Sequence, residues 1–101
     1  MTATERSVNG VPIRLTDERW NHITESHCEL AGHYFDVLEC LKEPDAVFQG
    51  RFGEVIALKH MGKDKYIAVV YIELKKNDGF VITAFLTKKK GHFERRKKLW
   101  P

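Results

Sequence analysis

The stretch Tyr66–Ile72, "YIAVVYI", is apolar at every position. A strand with one face in water alternates apolar and polar residues, so an unbroken run predicts a central strand covered on both faces. The run is the longest apolar segment of the chain, and it is far shorter than the ~20 residues that a membrane-spanning helix needs. The sequence therefore predicts a fold organised around this strand, and no membrane partner.

Three neighbouring segments are rich in β-branched and aromatic residues, which favours further strands: "DAVFQG" (45–50), "EVIALKH" (54–60) and "FVITAFLT" (80–87). The tetrapeptide "MGKD" (61–64) lies between the second of these segments and the apolar run 66–72, and "KNDG" (76–79) lies between that run and the segment 80–87. The Asp-Gly pair of the second tetrapeptide is a strong hairpin signal. Because such turns are short, the strands that they join should be antiparallel neighbours.

Helical spacing precedes the strands. Thr16 is a good N-cap for a first helix that includes "RWNHITESHCEL" (19–30). Trp20, Ile23 and His27 share one stripe of that helix, and Leu30 extends it. A second short helix is expected in "HYFDVLECL" (33–41).

The apolar residues of the second helix are Phe35, Leu38 and Leu41, and Pro44 ends it. The expected fold is therefore α+β, with two N-terminal helices packed on an antiparallel sheet of about four strands. A short basic C-terminal helix, "FERRKKLW" (93–100), should follow. Since 101 residues suffice for one modest core, residues 1–101 should form a single domain.

Composition narrows the class of protein. Hydrophobic residues make up 43% and charged residues 31% of the chain, which is typical of a folded soluble protein. The N-terminal "MTATERSVNG" has no apolar core, so no secretory signal is expected. With Cys28 and Cys40 as the only cysteines, we expect reduced thiols and a cytoplasmic protein.

Positive charge is concentrated at the C-terminus. Residues 88–101 contain seven Lys or Arg and one acidic residue, and the net charge of the whole chain is +3. Such a tail often contacts phosphates, which favours RNA as a partner, although a solvated basic helix has the same composition. The candidate RNA-binding residues are Arg51, Lys88, Lys89, Arg95 and Arg96.

The two histidines of the first helix are candidates for acid–base chemistry. His22 and His27 are five residues apart, so on a regular helix they diverge by about 140° and cannot readily share one metal ion or proton. His27 should face the sheet, and His22 should lie on the side of Arg19. A packed or surface histidine is the alternative for each.

Other chemistries have little support. The Cys and His spacings do not match known zinc sites, and no phosphate-binding loop, dinucleotide turn or nucleophile elbow is present. No cofactor and no metal are therefore expected. On the strand "GFVITAFLT", Thr83 is a candidate phosphate ligand together with Lys59. RNA cleavage needs a base, an acid and donors to the charged transition state, and His, Lys, Arg and Thr can supply them.

The order of three motifs resembles a known group: "LTDERWNHITESHCEL" (15–30), "CLKEPDAVF" (40–48) and "VITAF" (81–85). In that order they are similar to the phage-associated branch of the barnase–EndoU–colicin–RelE nuclease fold, and BrnT-type toxins have a related layout. The resemblance covers about residues 15–87. It implies a RelE/barnase-like fold and a metal-independent ribonuclease whose site lies on the sheet near the first helix.

Carried over residue by residue, the resemblance points to catalytic roles for five side chains: Arg19, His22, His27, Thr83 and Lys59. BrnT-type toxins tend to have an Arg after their Ser/Thr-Ala pair, and here that residue is Phe85. Arg51 and Lys88 are the candidates to replace it.

The expected function is that of a metal-independent endoribonuclease. Such a protein could also be the toxin of a toxin–antitoxin or phage-related system, with an acidic antitoxin as its partner. The alternative is a non-catalytic RNA- or protein-binding module on the same fold, in which the histidines are structural.

Overall fold

The computed structural model describes residues 2–101, in which one seven-stranded sheet is accompanied by short helices. The strands are β1 (Thr2–Arg6), β2 (Pro12–Thr16), β3 (Ala46–Gln49), β4 (Val55–Gly62), β5 (Lys65–Lys75), β6 (Asp78–Thr87) and β7 (Lys98–Trp100). The helices are α1 (Asp17–Ser26), α2 (Tyr34–Lys42) and α3 (Gly91–Glu94), and a 3-10 turn spans Cys28–Leu30. The strand order in the sheet is β1-β2-β6-β5-β4-β3-β7.

The predicted architecture of two helices on a four-stranded antiparallel sheet is therefore wrong. The sheet has seven strands in residues 2–101, and it is mixed, because β2 pairs with β6 in parallel while the other pairs are antiparallel. The four expected strands occur as the antiparallel series β3 to β6 in its interior. Strands on both sides extend this series into a much wider sheet than the apolar pattern indicated.

The central position of "YIAVVYI" is confirmed. β5 lies between β4 and β6, and its side chains enter a core on each face of the sheet. Ile67, Val69 and Tyr71 face α1 and α2, whereas Ala68 and Val70 face the opposite side, where Phe93 packs. We call these the helix face and the open face of the sheet.

The first helix begins as predicted and ends earlier. The Thr16 hydroxyl accepts the backbone N–H of Arg19 at 3.0 Å, which confirms the N-cap. The helix stops at Ser26, and His27 has φ −130° and ψ 70°, outside the helical region. The prediction that His27 and Leu30 continue the same helix is wrong, because the chain turns there into the 3-10 segment that buries Leu30.

The second helix exists, with a different buried face. Val37, Cys40 and Leu41 are fully buried against the sheet, whereas the predicted stripe residue Phe35 is 78% exposed. Tyr34, rather than Phe35, contacts the core at the start of this helix, where its ring lies 5.3 Å from the ring of Trp20.

The predicted basic C-terminal helix is also wrong. α3 has only four residues, and the chain then forms β7, which pairs antiparallel with β3. Like charges on successive turns disfavour a long helix in this segment. Its apolar residue Phe93 instead fills the open-face core, and the Lys97 carbonyl accepts the backbone N–H of Gln49 at 2.9 Å.

Across residues 2–101, no helix combines the length and the apolar character required to cross a membrane.

Candidate active site

A concave surface lies beside the free edge of β6. β2 pairs with β6 only at Ile13–Gly79 and Arg14–Phe80. After Thr16 the chain leaves the sheet as α1, which contacts the following part of β6. A groove therefore opens between α1 and the second half of β6, along the edge of β6 that faces away from β5, where no strand of residues 2–101 pairs with it.

A β-bulge shapes the wall of this groove. Val70 pairs with Thr83 and Tyr71 pairs with Val81, so Ile82 is an extra residue in β6. A bulge bends its strand and redirects the neighbouring side chains, and bulges are common beside functional sites. Here the bulge brings Ile82 and Thr83 together to the wall that faces α1.

One face of α1 forms the opposite wall, because residues three or four apart on a helix are neighbours. The cavity has a volume of about 700 Å³ and is mostly polar in its residue types. Its lining is Thr16, Glu18, Arg19, His22, Ile23, Glu25, Ser26, Ile82 and Thr83. We call it the α1–β6 groove.

Three of the five predicted catalytic residues meet in the α1–β6 groove: Arg19, His22 and Thr83. Arg19 and His22 are both exposed on one face of α1, and Thr83 is half-buried on β6. The residues come from segments about sixty positions apart in the sequence, and the tertiary fold brings them to one cavity.

His27 lies just outside the groove lining. Its ring centroid is 5.9 Å from that of Phe85 on β6, and its Nδ1 lies 3.5 Å from Oε2 of Glu29. The side chain is 36% exposed, so it is neither buried in apolar surroundings nor fully in solvent. His27 thus faces the strand that carries Thr83, and it reaches the sheet at the open-face residue Phe85.

Lys59 is separated from the groove. In the sheet register Lys59 pairs with Ile67, a helix-face residue, whereas Thr83 pairs with Val70 on the open face. The Lys59 ammonium donates to the carbonyl of Glu43, at the end of α2, at 2.7 Å. The structure therefore does not bring Lys59 together with Thr83.

The five candidate RNA-binding residues lie in three different places. Arg51 is exposed in the loop between β3 and β4, and Lys88 and Lys89 are exposed directly after β6. Arg95 is exposed after α3, while Arg96 is half-buried and lines a second pocket on the open face. Neither Arg51 nor Lys88 lies in the α1–β6 groove, so neither supplies an additional cation to its lining.

Two groove residues were missed by the sequence reasoning, the carboxylates Glu18 and Glu25. They stand four residues before and three residues after His22, which is the spacing of one helix face. That periodicity was visible in the sequence, and it would have marked both residues as neighbours of His22. Sequence periodicity could not show that this face lies beside β6.

The groove combines groups that can accept and donate protons with one permanent cation. With His22 neutral, Arg19 against Glu18 and Glu25 gives the lining a formal net charge of −1. A phosphate diester would therefore rely on Arg19, on the Thr83 hydroxyl and on the protonated form of His22. Within residues 2–101, no cluster of three or more His, Cys, Asp or Glu side chains is arranged to hold a metal ion.

Comparisons with models of protein families, with curated proteins and with solved structures find no match to this chain.

Proposed function

We propose that the protein is an endoribonuclease that cleaves RNA in the α1–β6 groove without a metal ion. The observation that supports this most directly is the meeting of Arg19, His22 and Thr83 in one cavity. Arginine, histidine and threonine side chains can supply the groups that RNA cleavage needs, and the cavity is large enough to admit part of an RNA strand.

The reaction would be an internal transesterification. The 2′-oxygen of one nucleotide attacks the adjacent phosphorus, and the bond from phosphorus to the 5′-oxygen of the next nucleotide breaks. A base takes the proton of the 2′-hydroxyl, and an acid gives a proton to the leaving 5′-oxygen. The products are a 2′,3′-cyclic phosphate and a 5′-hydroxyl.

The groove contains residues for each role. Protonated His22 is the proposed acid, and a neighbouring carboxylate, Glu18 or Glu25, is the proposed base. Arg19 and the Thr83 hydroxyl would donate hydrogen bonds to the phosphoryl oxygens, whose charge increases in the transition state. His27, which contacts Phe85 on β6 beside the groove, would contact a flanking part of the RNA.

A cleavage assay tests the proposal. Purified protein should cut single-stranded RNA in the presence of EDTA, and the product should end in a 2′,3′-cyclic phosphate. His22→Ala should lower the rate by about 10²–10⁴-fold, because acid–base catalysis contributes that much. His33→Ala is the matched control, since His33 pairs with Asp36 at the start of α2 and lies outside the groove lining.

His27→Ala distinguishes the two histidines. If His27→Ala lowers the cleavage rate as strongly as His22→Ala, both histidines take part in the reaction. If His27→Ala leaves the rate unchanged, His22 is the only one of the two that does. Cleavage that requires an added divalent metal, or activity unaffected by either substitution, would contradict the mechanism.

A second candidate function, RNA binding without cleavage, is favoured by the distribution of charge. The α1–β6 groove has a negative formal charge, whereas the basic segment after β6 lies elsewhere on the molecule. RNA that binds tightly and is never cut would support this function. If the basic segment instead binds an acidic antitoxin protein, the chain would be the toxin of such a pair.

A further inference from the structure

We infer that a second pocket, on the open face of the sheet, binds a nucleotide, meaning an aromatic base joined to a phosphate. The pocket has a volume of about 470 Å³ and lies between the open face and the segment of α3 and β7. Small-molecule sites typically occupy about 300–1,000 Å³. We call it the C-terminal pocket, and it is separate from the α1–β6 groove, with which it shares no lining residue.

The rim of the C-terminal pocket attracts an anion. Lys90, Arg96 and Lys98 line it together with two acidic residues, Asp45 and Glu94, so its formal charge is +1 with histidine neutral. Asp45 accepts the backbone N–H of His60 at 2.6 Å, and Glu94 lies 4.0 Å from the Lys90 ammonium. Asp45 is therefore held by the backbone and Glu94 lies beside Lys90, while Arg96 and Lys98 give the same rim its excess of positive charge.

The floor of the C-terminal pocket is apolar and aromatic. Phe48 and Leu58 form it and are almost fully buried, at 3% and 2% exposure. Tyr66 stands at its side, with the Lys90 ammonium 5.7 Å from its ring centroid. The His60 ring lies 5.0 Å from the ring of Tyr66.

This combination specifies the ligand class. Inorganic phosphate would use the cations and leave the apolar surface uncovered, whereas a nucleotide would use both. Its phosphate would contact the cationic rim. Its aromatic base would pack against Tyr66 and the apolar floor of the pocket, as nucleobases commonly stack on aromatic side chains in proteins. The ammonium of Lys90, already over the Tyr66 ring, would be shared between the two parts.

The nucleotide could be free or could belong to an RNA strand, and the recognising chemistry is the same. Binding of a free nucleotide does not depend on cleavage in the α1–β6 groove. The two proposals can therefore fail separately.

Calorimetric titration of the full chain at low salt tests the inference. The probes are AMP, ribose 5-phosphate, adenosine and a trinucleotide with 2′-O-methyl groups, which cannot undergo the proposed cleavage. AMP should bind at least about tenfold more tightly than ribose 5-phosphate or adenosine, because each of these lacks one half of the contacts. A trinucleotide that binds more tightly than AMP would identify RNA as the source of the nucleotide, and tighter AMP binding would identify a free nucleotide.

Arg96→Gln/Lys98→Gln should weaken AMP binding about tenfold or more, since hydrogen bonds to charged groups are strong. The matched control is Lys75→Gln/Lys76→Gln, which removes the same charge from exposed positions outside the pocket and should change the dissociation constant by less than about twofold. Unchanged circular dichroism would show that both variants are folded. Ribose 5-phosphate binding as tightly as AMP, or equal AMP binding by the two double variants, would overturn the inference.

Discussion

Cys28 and Cys40 have opposite environments, although they are only twelve positions apart. Cys28 is exposed in the 3-10 turn, and Cys40 is fully buried on α2. Burial raises the pKa of the Cys40 thiol far above its usual range, because a thiolate would lose its solvation there. Its Sγ instead lies 3.5 Å from the carbonyl oxygen of Ala57 as a weak donor.

The two thiols should therefore react differently. At pH 8 a disulfide reagent such as dithionitrobenzoate should label one cysteine of the native protein rapidly and the second only after unfolding in urea, since the thiolate is the reactive form. Cys28→Ser should abolish the rapid phase, and Cys40→Ala should leave it intact. Rapid labelling of two thiols in the native protein would contradict the buried position of Cys40.

The site residues show how one position changes a role. The sequence predicts His27 on the stripe of Trp20 and Ile23, but the helix ends at Ser26, and His27, with non-helical backbone angles, contacts Phe85 on β6 instead. His22, three residues after Arg19, remains on the helix and lines the α1–β6 groove. In the proposed mechanism, His22 is therefore the first candidate for acid–base chemistry in the groove.

Among the secondary-structure elements, α3 and β7 depend most on tertiary contacts. α3 is a single turn, too short to be stable alone. Its residue Phe93 is 7% exposed and lies 6.3 Å from the ring of Phe48 and 6.4 Å from that of Phe85. Phe93 thus attaches the C-terminal segment to the open face of the sheet.

Phe93→Ala should lower the free energy of unfolding by about 3 kcal/mol, measured by urea denaturation, because a buried aromatic side chain is removed and a cavity remains. Phe52→Ala is the matched control. Phe52 is 86% exposed in the loop between β3 and β4, so its loss should change stability by less than about 0.5 kcal/mol. Similar effects of the two substitutions would show that Phe93 does not hold the segment in place.

At the scale of the whole molecule, two buried groups that can lose a proton, the Cys40 thiol and the Tyr71 phenol, make the free energy of unfolding depend on pH in the alkaline range. Burial raises the pKa of Cys40 and also that of the Tyr71 phenol, which is 1% exposed. In an unfolded chain, Cys and Tyr titrate near about 8.5 and 10. Above those values the unfolded chain releases protons that the folded chain retains, so the folded state becomes progressively less favourable.

The free energy of unfolding should accordingly be maximal below about pH 8.5 and should fall as pH rises, with a limiting slope of about 1.4 kcal/mol per pH unit for each group. Urea denaturation between pH 7 and pH 11 measures it. Tyr71→Phe should flatten the slope above about pH 10, and Cys40→Ala should flatten it from about pH 8.5 upward, whatever each does to stability at pH 7. Stability that is constant up to pH 11 would contradict the prediction.

Several elements could be read from local sequence alone. The apolar run Tyr66–Ile72 is the central strand, the hairpins at 61–64 and 76–79 join β4 to β5 and β5 to β6, and Thr16 caps α1. Each of these depends on residues close together in the chain, through burial on both faces, turn geometry or a single capping hydrogen bond.

The remaining features required long-range backbone pairing, which leaves no pattern in the side chains. β1 is polar and mostly exposed and exists because it pairs with β2, and the three-residue β7 exists because it pairs with β3. The parallel pairing of β2 with β6 and the bulge at Ile82 together create the α1–β6 groove. Strand pairing depends on backbone hydrogen bonds, which any two extended segments can form, so side-chain types do not reveal it. Residue type alone could therefore indicate Arg19, His22 and Thr83 as candidates. Only the folded sheet determines that these three share a cavity and that Lys59 lies outside it.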